Sequence, residues 1–446
     1  MNETGSQVNQ SSIEQGIWRT VGYNKCFELS ADHFVIHDLS EISCIQSIEG
    51  PAGDFYRVFD RIVLNQSGQL QIYARGGITR YLLEPLPHHP QLCRSSSQDG
   101  PATLAFNFEV FWHYFKENYA FFDLRHTNWQ SVYHNFAPCA RRLNSPSELA
   151  EMLEQILCAL NDSHATLEIP GQTVTTRKPH ELVRQWQAEF HSNQFLELYP
   201  KGIPILNSAL NSSILQGQGK SALNGQLLWG KINPRVGYLS IFSLMDMYAS
   251  FDLLHYAGFE VANLSYLQSL GDSIDQAITD LSDTDNLILD LRFNPGGHDA
   301  AGKLVASRFA NKNHLAFTKQ VYDQNGLSAP QEIFIEPAGA VRYTRPVMLL
   351  ISEATASAAE VLVHFMMPLP NVTRLGGATR GVLSDTLLMQ LPIGWTASVS
   401  NEIYTAANGI CYESTGIPPQ IEAATFYPHD FYPQLKHTVN DALSYT

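Results

Sequence analysis

Positive charge is scarce in this 446-residue chain: 28 lysines and arginines face 43 aspartates and glutamates, for a formal net charge of −15. That balance repels phosphate backbones and argues against nucleic-acid binding or adhesion to anionic membranes. Charged residues of either sign reach only 16%, against 44% hydrophobic residues, too apolar a mixture for a disordered chain. No apolar run nears the roughly 20 residues of a membrane span. The opening MNETGSQVNQSSIEQG has neither the basic start nor the apolar stretch of a signal peptide. The expected location is cytoplasmic for a complete chain, and periplasmic or secreted if a signal was trimmed before it. CxxC spacing is also missing. Cys26, Cys44, Cys93, Cys139, Cys158 and Cys411 therefore support neither a zinc knuckle nor a thioredoxin motif. Cys26 and Cys44 share one β-rich stretch, yet a chain of this length needs no staples, and free buried thiols are expected.

What is present falls into blocks. Residues 1–15 are polar and expected to be mobile. Residues 16–90 carry short alternating runs such as HFVIHDL and LQIYAR between turn formers, the pattern of a small antiparallel β domain. Residues 100–165 read as helical. Phe108, Phe111, Trp112, Phe115 and Tyr119 recur at three- and four-residue spacing, and Ser145-Pro146-Ser147-Glu148 opens a second amphipathic stretch ending at Leu160. Residues 166–225 give no clear pattern. Residues 226–425 alternate apolar strands (NLILDLR, VMLLIS) with helices starting near Tyr266, Ala300 and Ser357, which predicts an α/β core; residues 426–446 remain as a C-terminal tail.

Two segments could carry chemistry. Asp290-Leu291-Arg292-Phe293-Asn294-Pro295-Gly296-Gly297 follows a buried strand, and consecutive glycines there let backbone N–H groups point into a cleft. Ser352-Glu353-Ala354-Thr355-Ala356-Ser357-Ala358-Ala359-Glu360 is a second strand-to-helix turn, where a serine hydroxyl would stand at the sheet edge near the positive end of a helix dipole. Either segment alone is more often an ordinary turn.

Together, DLRxNPGG and the later TASAxE segment resemble peptidase family S41, which includes C-terminal processing proteases, the tricorn core and retinoid-binding modules. Val236-Gly237-Tyr238-Leu239, Gly376-Gly377-Ala378-Thr379-Arg380-Gly381 and Gly416-Ile417-Pro418-Pro419 extend the likeness over roughly residues 100–425. Upstream, Glu117-Asn118-Tyr119-Ala120-Phe121-Phe122-Asp123 and Leu160-Asn161-Asp162-Ser163-His164 look like the helical segment of bacterial members. No PDZ pattern is recognisable between His164 and Val236. The resemblance implies an S41-like α/β protease core behind a helical segment and a small N-terminal antiparallel β domain.

By motif position, the resemblance makes Ser357 the nucleophile. The lysine base of the processing branch is missing: its place is Val382, and no lysine occurs between Lys319 and Lys436. The nearby Lys303 is a poor substitute. The tricorn-like branch implies instead His164, from the pair Ser163-His164, with Glu413 as the carboxylate that holds its tautomer. Oxyanion donors would be the N–H of Ala358 with that of Gly296 or Gly297. The implied activity is hydrolysis of peptide bonds in peptide or protein substrates through an acyl-enzyme, with no metal and no organic cofactor. The alternative is an inactive binder of an apolar ligand or of peptide tails on the same fold. Substrate specificity and oligomeric state are not legible.

Overall fold

In the computed structural model, residues 15–75, 77–94, 103–170, 172–174, 179–192, 195–248, 263–425 and 431–446 are described. The expectation of a mobile start falls on residues 1–15, nearly all outside that set.

The N-terminal strands form a seven-stranded antiparallel sheet that runs spatially from Cys44–Pro51 through His33–Leu39, Lys25–Leu29, Gly16–Thr20, Arg80–Leu86 and Leu70–Ala74 to Phe59–Leu64. Alternation in HFVIHDL places Phe34 and Ile36 inward beside Phe27, Phe55 and Phe59, as a one-sided sheet requires. This sheet does not close its core alone. The aromatic face of helix Leu104–Asn118, the Leu149, Leu153 and Leu157 stripe of helix Pro146–Leu160, and strands Thr386–Gln390 and Thr396–Ser400 of the C-terminal half share the same cluster. Strand Thr166–Ile169 pairs with Thr396–Ser400, so the helical segment is stitched to the core by backbone hydrogen bonds.

The second body is a seven-stranded sheet in the order Lys220–Ala222, Leu227–Asn233, Val236–Ile241, Asn286–Asp290, Val347–Ile351, Val372–Gly376, Ile421–Glu422. The first three strands are antiparallel neighbours; from Val236–Ile241 onward every pairing is parallel. Period-two geometry explains the continuous apolar runs. Leu287, Leu289, Val347, Leu349 and Ile351 face one way, into a cluster with helices Leu264–Asp280, Asp299–Ser307 and Ala358–Met366. Ile288, Met348 and Leu350 face the other way, against Leu198, Tyr199, Ile203 and Leu206 of helix Phe195–Ile214 and Leu435 and Val439 of helix Phe431–Leu443.

The stretch without sequence pattern, 166–225, is therefore largely helical, built from Glu181–Phe190 and Phe195–Ile214. Pro200 and Pro204 inside the second helix are why propensity did not reveal it. The tail is a helix as well: Thr438 Oγ1 donates to the Ala424 carbonyl, and the Leu435 carbonyl receives Arg292. The expectation of free thiols fails at one pair, since Cys44 and Cys93 form a disulfide that ties the edge of the N-terminal sheet to helix Gln91–Arg94. Cys26, Cys139, Cys158 and Cys411 are free. The sequence reading could not see this pair because strand pairing, which sets who faces whom, is not local.

Candidate active site

Two strands deliver the turns seen in the sequence. Asn286–Asp290 and Val347–Ile351 are parallel neighbours, so their carboxyl ends open at the same edge, where open α/β sheets form their crevices. The turns are laced together. Ser352 Oγ donates to the Arg292 carbonyl at 2.5 Å, Thr355 Oγ1 to the Leu291 carbonyl at 2.8 Å, and the Ala356 N–H to the Asn294 carbonyl at 3.1 Å. Arg292 belongs to this scaffold: it is fully buried, pairs with Asp290 at 2.6 Å and reaches the Leu435 carbonyl.

Ser357 sits at the cap of helix Ala358–Met366 with φ 54° and ψ −128°, a strained conformation for a residue with a Cβ. Glu360 holds it there. One carboxylate oxygen accepts the Ser357 N–H at 3.1 Å and the Val382 N–H at 2.9 Å; the other accepts the Thr379 hydroxyl at 2.5 Å and the Gly381 N–H at 2.7 Å. Burial pushes the Glu360 carboxyl above the usual range, while these four bonds pull the other way.

The glycines divide their labour. The Gly296 N–H is committed to Asn294 Oδ1 at 2.9 Å, and a Cβ at Gly296 would lie 2.7 Å from the Ala356 carbonyl oxygen and 2.9 Å from the Ala358 nitrogen. Gly296 is thus the residue that lets the elbow approach. Gly297, at φ 137°, fits against Leu244, where a Cβ would meet the carbonyl carbon at 2.4 Å. Among the described residues no acceptor faces the Gly297 N–H or the Ala358 N–H.

His164 lies at the corner between helix Pro146–Leu160 and strand Thr166–Ile169, and its backbone is pinned on both sides. Its N–H donates to Asp162 Oδ1 at 2.9 Å, and its carbonyl accepts from Ser398 Oγ at 2.6 Å. The ring Nδ1 lies 2.6 Å from the Ser384 carbonyl oxygen. A carbonyl can only accept, so Nδ1 carries the proton and Nε2 is the basic nitrogen of the neutral ring.

Glu413 does not occupy the place expected for it. Its Oε2 accepts the N–H groups of Leu383 (2.7 Å) and Ser384 (3.1 Å), and its Oε1 pairs with Arg125 at 3.2 Å. It orients the peptide whose carbonyl holds the histidine, one residue removed from the ring. Arg125 also lies 3.8 Å from Asp162 and donates to the Asn161 carbonyl at 2.9 Å, while Tyr119 donates to Asp162 Oδ2 at 2.9 Å. Burial, with Asp162 close by, pushes the Glu413 carboxyl up to about 8. Ser384 is held at every polar atom: N–H by Glu413, carbonyl by His164, and Oγ between the Asp385 carbonyl and the Glu402 N–H. Ser163 is half-buried beside His164 and holds none of these groups.

Sequence reading missed Arg125, Asp162 and Ser384. Asp162 stands inside the Asn-Asp-Ser-His string and Arg125 just beyond the aromatic segment, but nothing local announces that a buried arginine will bridge two acids from separate elements. Neither lysine position offers a base. Val382 is a buried apolar side chain, and Lys303 lines a different cleft with Arg61 and Glu336.

Residues 236–423 match the model of peptidase family S41, and residues 101–158 match that of the tricorn protease C1 domain. The carboxy-terminal processing protease CtpA of Bacillus subtilis is 29% identical over 136 residues, 30% of this chain and 28% of that one. The chloroplastic C-terminal processing peptidase of Tetradesmus obliquus is 26% identical over 149 residues, 33% and 31% of the two chains. The chain thus spans under a third of the length of either curated relative. A solved structure of a Parabacteroides merdae protein proposed to be a peptidase superposes with a TM-score of 0.57 at 21% identity, covering 77% of this chain and 96% of that one. Mature CPAF does so with 0.53 at 13% identity, covering 77% and 96%. At these identities the likeness is one of fold. Residues 236–423, which carry the parallel sheet and the two turns laced at its carboxyl edge, are thus similar to peptidase family S41.

Proposed function

We propose that the protein is a serine peptidase that cleaves peptide bonds through an acyl-enzyme. Ser357 is the nucleophile, His164 the general base, and the N–H groups of Gly297 and Ala358 the oxyanion donors. The observation that carries this reading is one short loop, Thr379 to Ser384. At its first end Glu360 joins the loop to the Ser357 N–H; at its other end the Ser384 carbonyl holds His164 Nδ1. Nucleophile and base are thus both tied to one short strip of chain, which supports their acting as a pair.

In this reading His164 Nε2 takes the Ser357 proton as Oγ attacks the substrate carbonyl, and returns it to the leaving amine. The Ser384 carbonyl replaces the usual carboxylate as tautomer holder, with Glu413 acting through that peptide as a positioning residue. The negative oxygen is met by N–H groups that have no other acceptor among the described residues, an arrangement that lowers acyl-transfer barriers. Peptides or proteins are the substrates, a class in keeping with the peptidase names of the relatives. The Cys44–Cys93 disulfide supports residence in an oxidising, extracytoplasmic compartment.

Labelling with a fluorophosphonate probe tests the assignment. The wild-type chain is expected to gain one adduct at Ser357 and Ser357→Ala none. A folded wild type that neither labels nor cleaves denatured protein would replace the enzyme by a ligand binder on the same fold.

A further inference from the structure

His113 and Glu117 stand four residues apart on helix Leu104–Asn118, so their side chains leave the same face. The turn between strands His33–Leu39 and Cys44–Pro51 sets Glu41 against that face. One metal-ligating atom from each of the three lies within 4.8 Å of the other two. His113 Nδ1 is 3.3 Å from Glu117 Oε1 and 3.4 Å from Glu41 Oε2. None of the groups proposed for catalysis belongs to this cluster.

Glu117 is buried, and among the described residues no lysine or arginine lies within ion-pair distance of it. Asn24 Nδ2 donates to its Oε2 at 3.2 Å and the Glu41 N–H to its Oε1 at 2.9 Å. These neutral donors orient the carboxylate without cancelling its charge. Lys116 answers only the other acid, its ammonium 2.6 Å from Glu41 Oε2. One carboxylate charge is left over and withdrawn from water, where charges are paired or coordinate metals. An imidazolium at His113 would balance it, but charge-assisted hydrogen bonds run about 2.7–2.9 Å, and a single N–H cannot aim at two carboxylates. Both His113 distances are longer than that. They match instead the roughly 3.3–3.6 Å between neighbouring ligands of a tetrahedral zinc ion, whose bonds to nitrogen and oxygen are about 2.0–2.2 Å.

We infer that Glu41, His113 and Glu117 bind a divalent transition-metal ion, with zinc the best fit to one imidazole and two carboxylates. Lys116 can yield its place: its side chain is 40% exposed, and its ammonium already lies 5.6 Å from the centre of the Trp112 ring. The ion pins a turn of the N-terminal sheet to the helix that leads into Tyr119, the donor to Asp162. Its role is that of a structural clamp, apart from hydrolysis.

The test is calorimetric titration of the EDTA-stripped full chain with zinc chloride and, separately, magnesium chloride. Zinc is expected to bind saturably and magnesium far more weakly, because an imidazole ligand disfavours the harder ion. Glu41→Gln, a change in an exposed turn, should weaken zinc binding roughly tenfold or more, and His113→Ala about a hundredfold or more. Lys116→Gln should tighten it, since the competing ammonium is gone. Zinc should also raise the Tm of wild type but not that of His113→Ala. Absence of saturable zinc binding, an unchanged zinc Kd in Glu41→Gln or His113→Ala, weaker binding in Lys116→Gln, or equal affinity for magnesium overturns the site. If His113→Ala does not fold, Glu41→Gln decides.

Discussion

The nucleophile side and the histidine side of the site are built in opposite ways. Ser357, Gly296, Gly297 and Asn294 lie on turns after two parallel strands that are neighbours in the sheet, and their bonds run between the two turns or to Glu360 three residues away. His164 instead depends on Arg125, Asp162, Ser384, Ser398 and Glu413, brought from the helical segment and from three stretches of the C-terminal half. Both sides contain buried charge, Glu360 and the Asp290–Arg292 pair on the first and Arg125, Asp162 and Glu413 on the second, but the first keeps its charged groups close to the two turns whereas the second gathers them from separate elements. The first should tolerate distant substitutions better than the second.

Loss of Ser357 gives the largest expected effect. Ser357→Ala should lower kcat by roughly 10⁴ or more with an unchanged melting curve, since no buried charge is involved. Residual turnover above a hundredth of wild type in purified mutant would mean that the nucleophile lies elsewhere. His164→Ala comes next. In wild type kcat/KM should rise with pH through an apparent pKa near 6.5, give or take a unit, because the base must be neutral. The variant should lose that limb; a pH profile unchanged in shape would remove His164 from proton transfer.

Arg125→Ala sharpens the contrast, because it leaves Glu413 and Asp162 buried without their cation. We expect a stability loss of about 3–5 kcal/mol in denaturant titration above about pH 8, where the Glu413 carboxyl is ionised, with kcat falling in the fraction that remains folded. A Ser357→Ala protein that unfolds as readily would erase the difference between the two sides.

Glu413→Gln should do less, roughly a tenfold fall in kcat with KM unchanged, because the amide oxygen can still accept the Leu383 and Ser384 N–H groups. A fall of 10³ or more would indicate direct contact with the histidine during turnover. The same residue sets a pH test. Its folded carboxyl, at about 8, lies above the unfolded value near 4.5, so the folded state binds the extra proton. Its contribution to stability is therefore complete below about pH 4.5 and is lost as pH rises to about 8. Tm should decline across that window in wild type and be flatter in Glu413→Gln. The smallest effect on activity belongs to Cys44→Ser, which holds none of the site's groups; it should lower stability by about 2–4 kcal/mol and leave kcat unchanged. A loss of activity in folded Cys44→Ser would show that the N-terminal sheet edge bears on the site.

The contrast also explains what was legible. Continuous apolar runs and the two turn motifs follow from strand burial and from glycine's access to positive φ, both encoded within a few residues. Hence the α/β core, the helical segment, the β domain and the Ser357, Gly296 and Gly297 turns could be read directly from the chain. The choice between the glycines could not, because it rests on whether Asn294 takes up the Gly296 N–H. Nor could the cysteine pairing, since strand order in the N-terminal sheet decides it. The proline-bearing helix Phe195–Ile214 is stable only through its packing on the sheet.

By itself the sequence supplied the two turns at Gly296-Gly297 and Ser357, and a family resemblance that implies Ser357 and His164 as nucleophile and base. Only the tertiary structure decided which group holds His164: a carbonyl rather than a carboxylate. The reason is that a buried carboxylate settles where donors and a cation are densest, and for Glu413 those are the Leu383 and Ser384 N–H groups and Arg125, contributed by segments about 30 and 290 residues away along the chain.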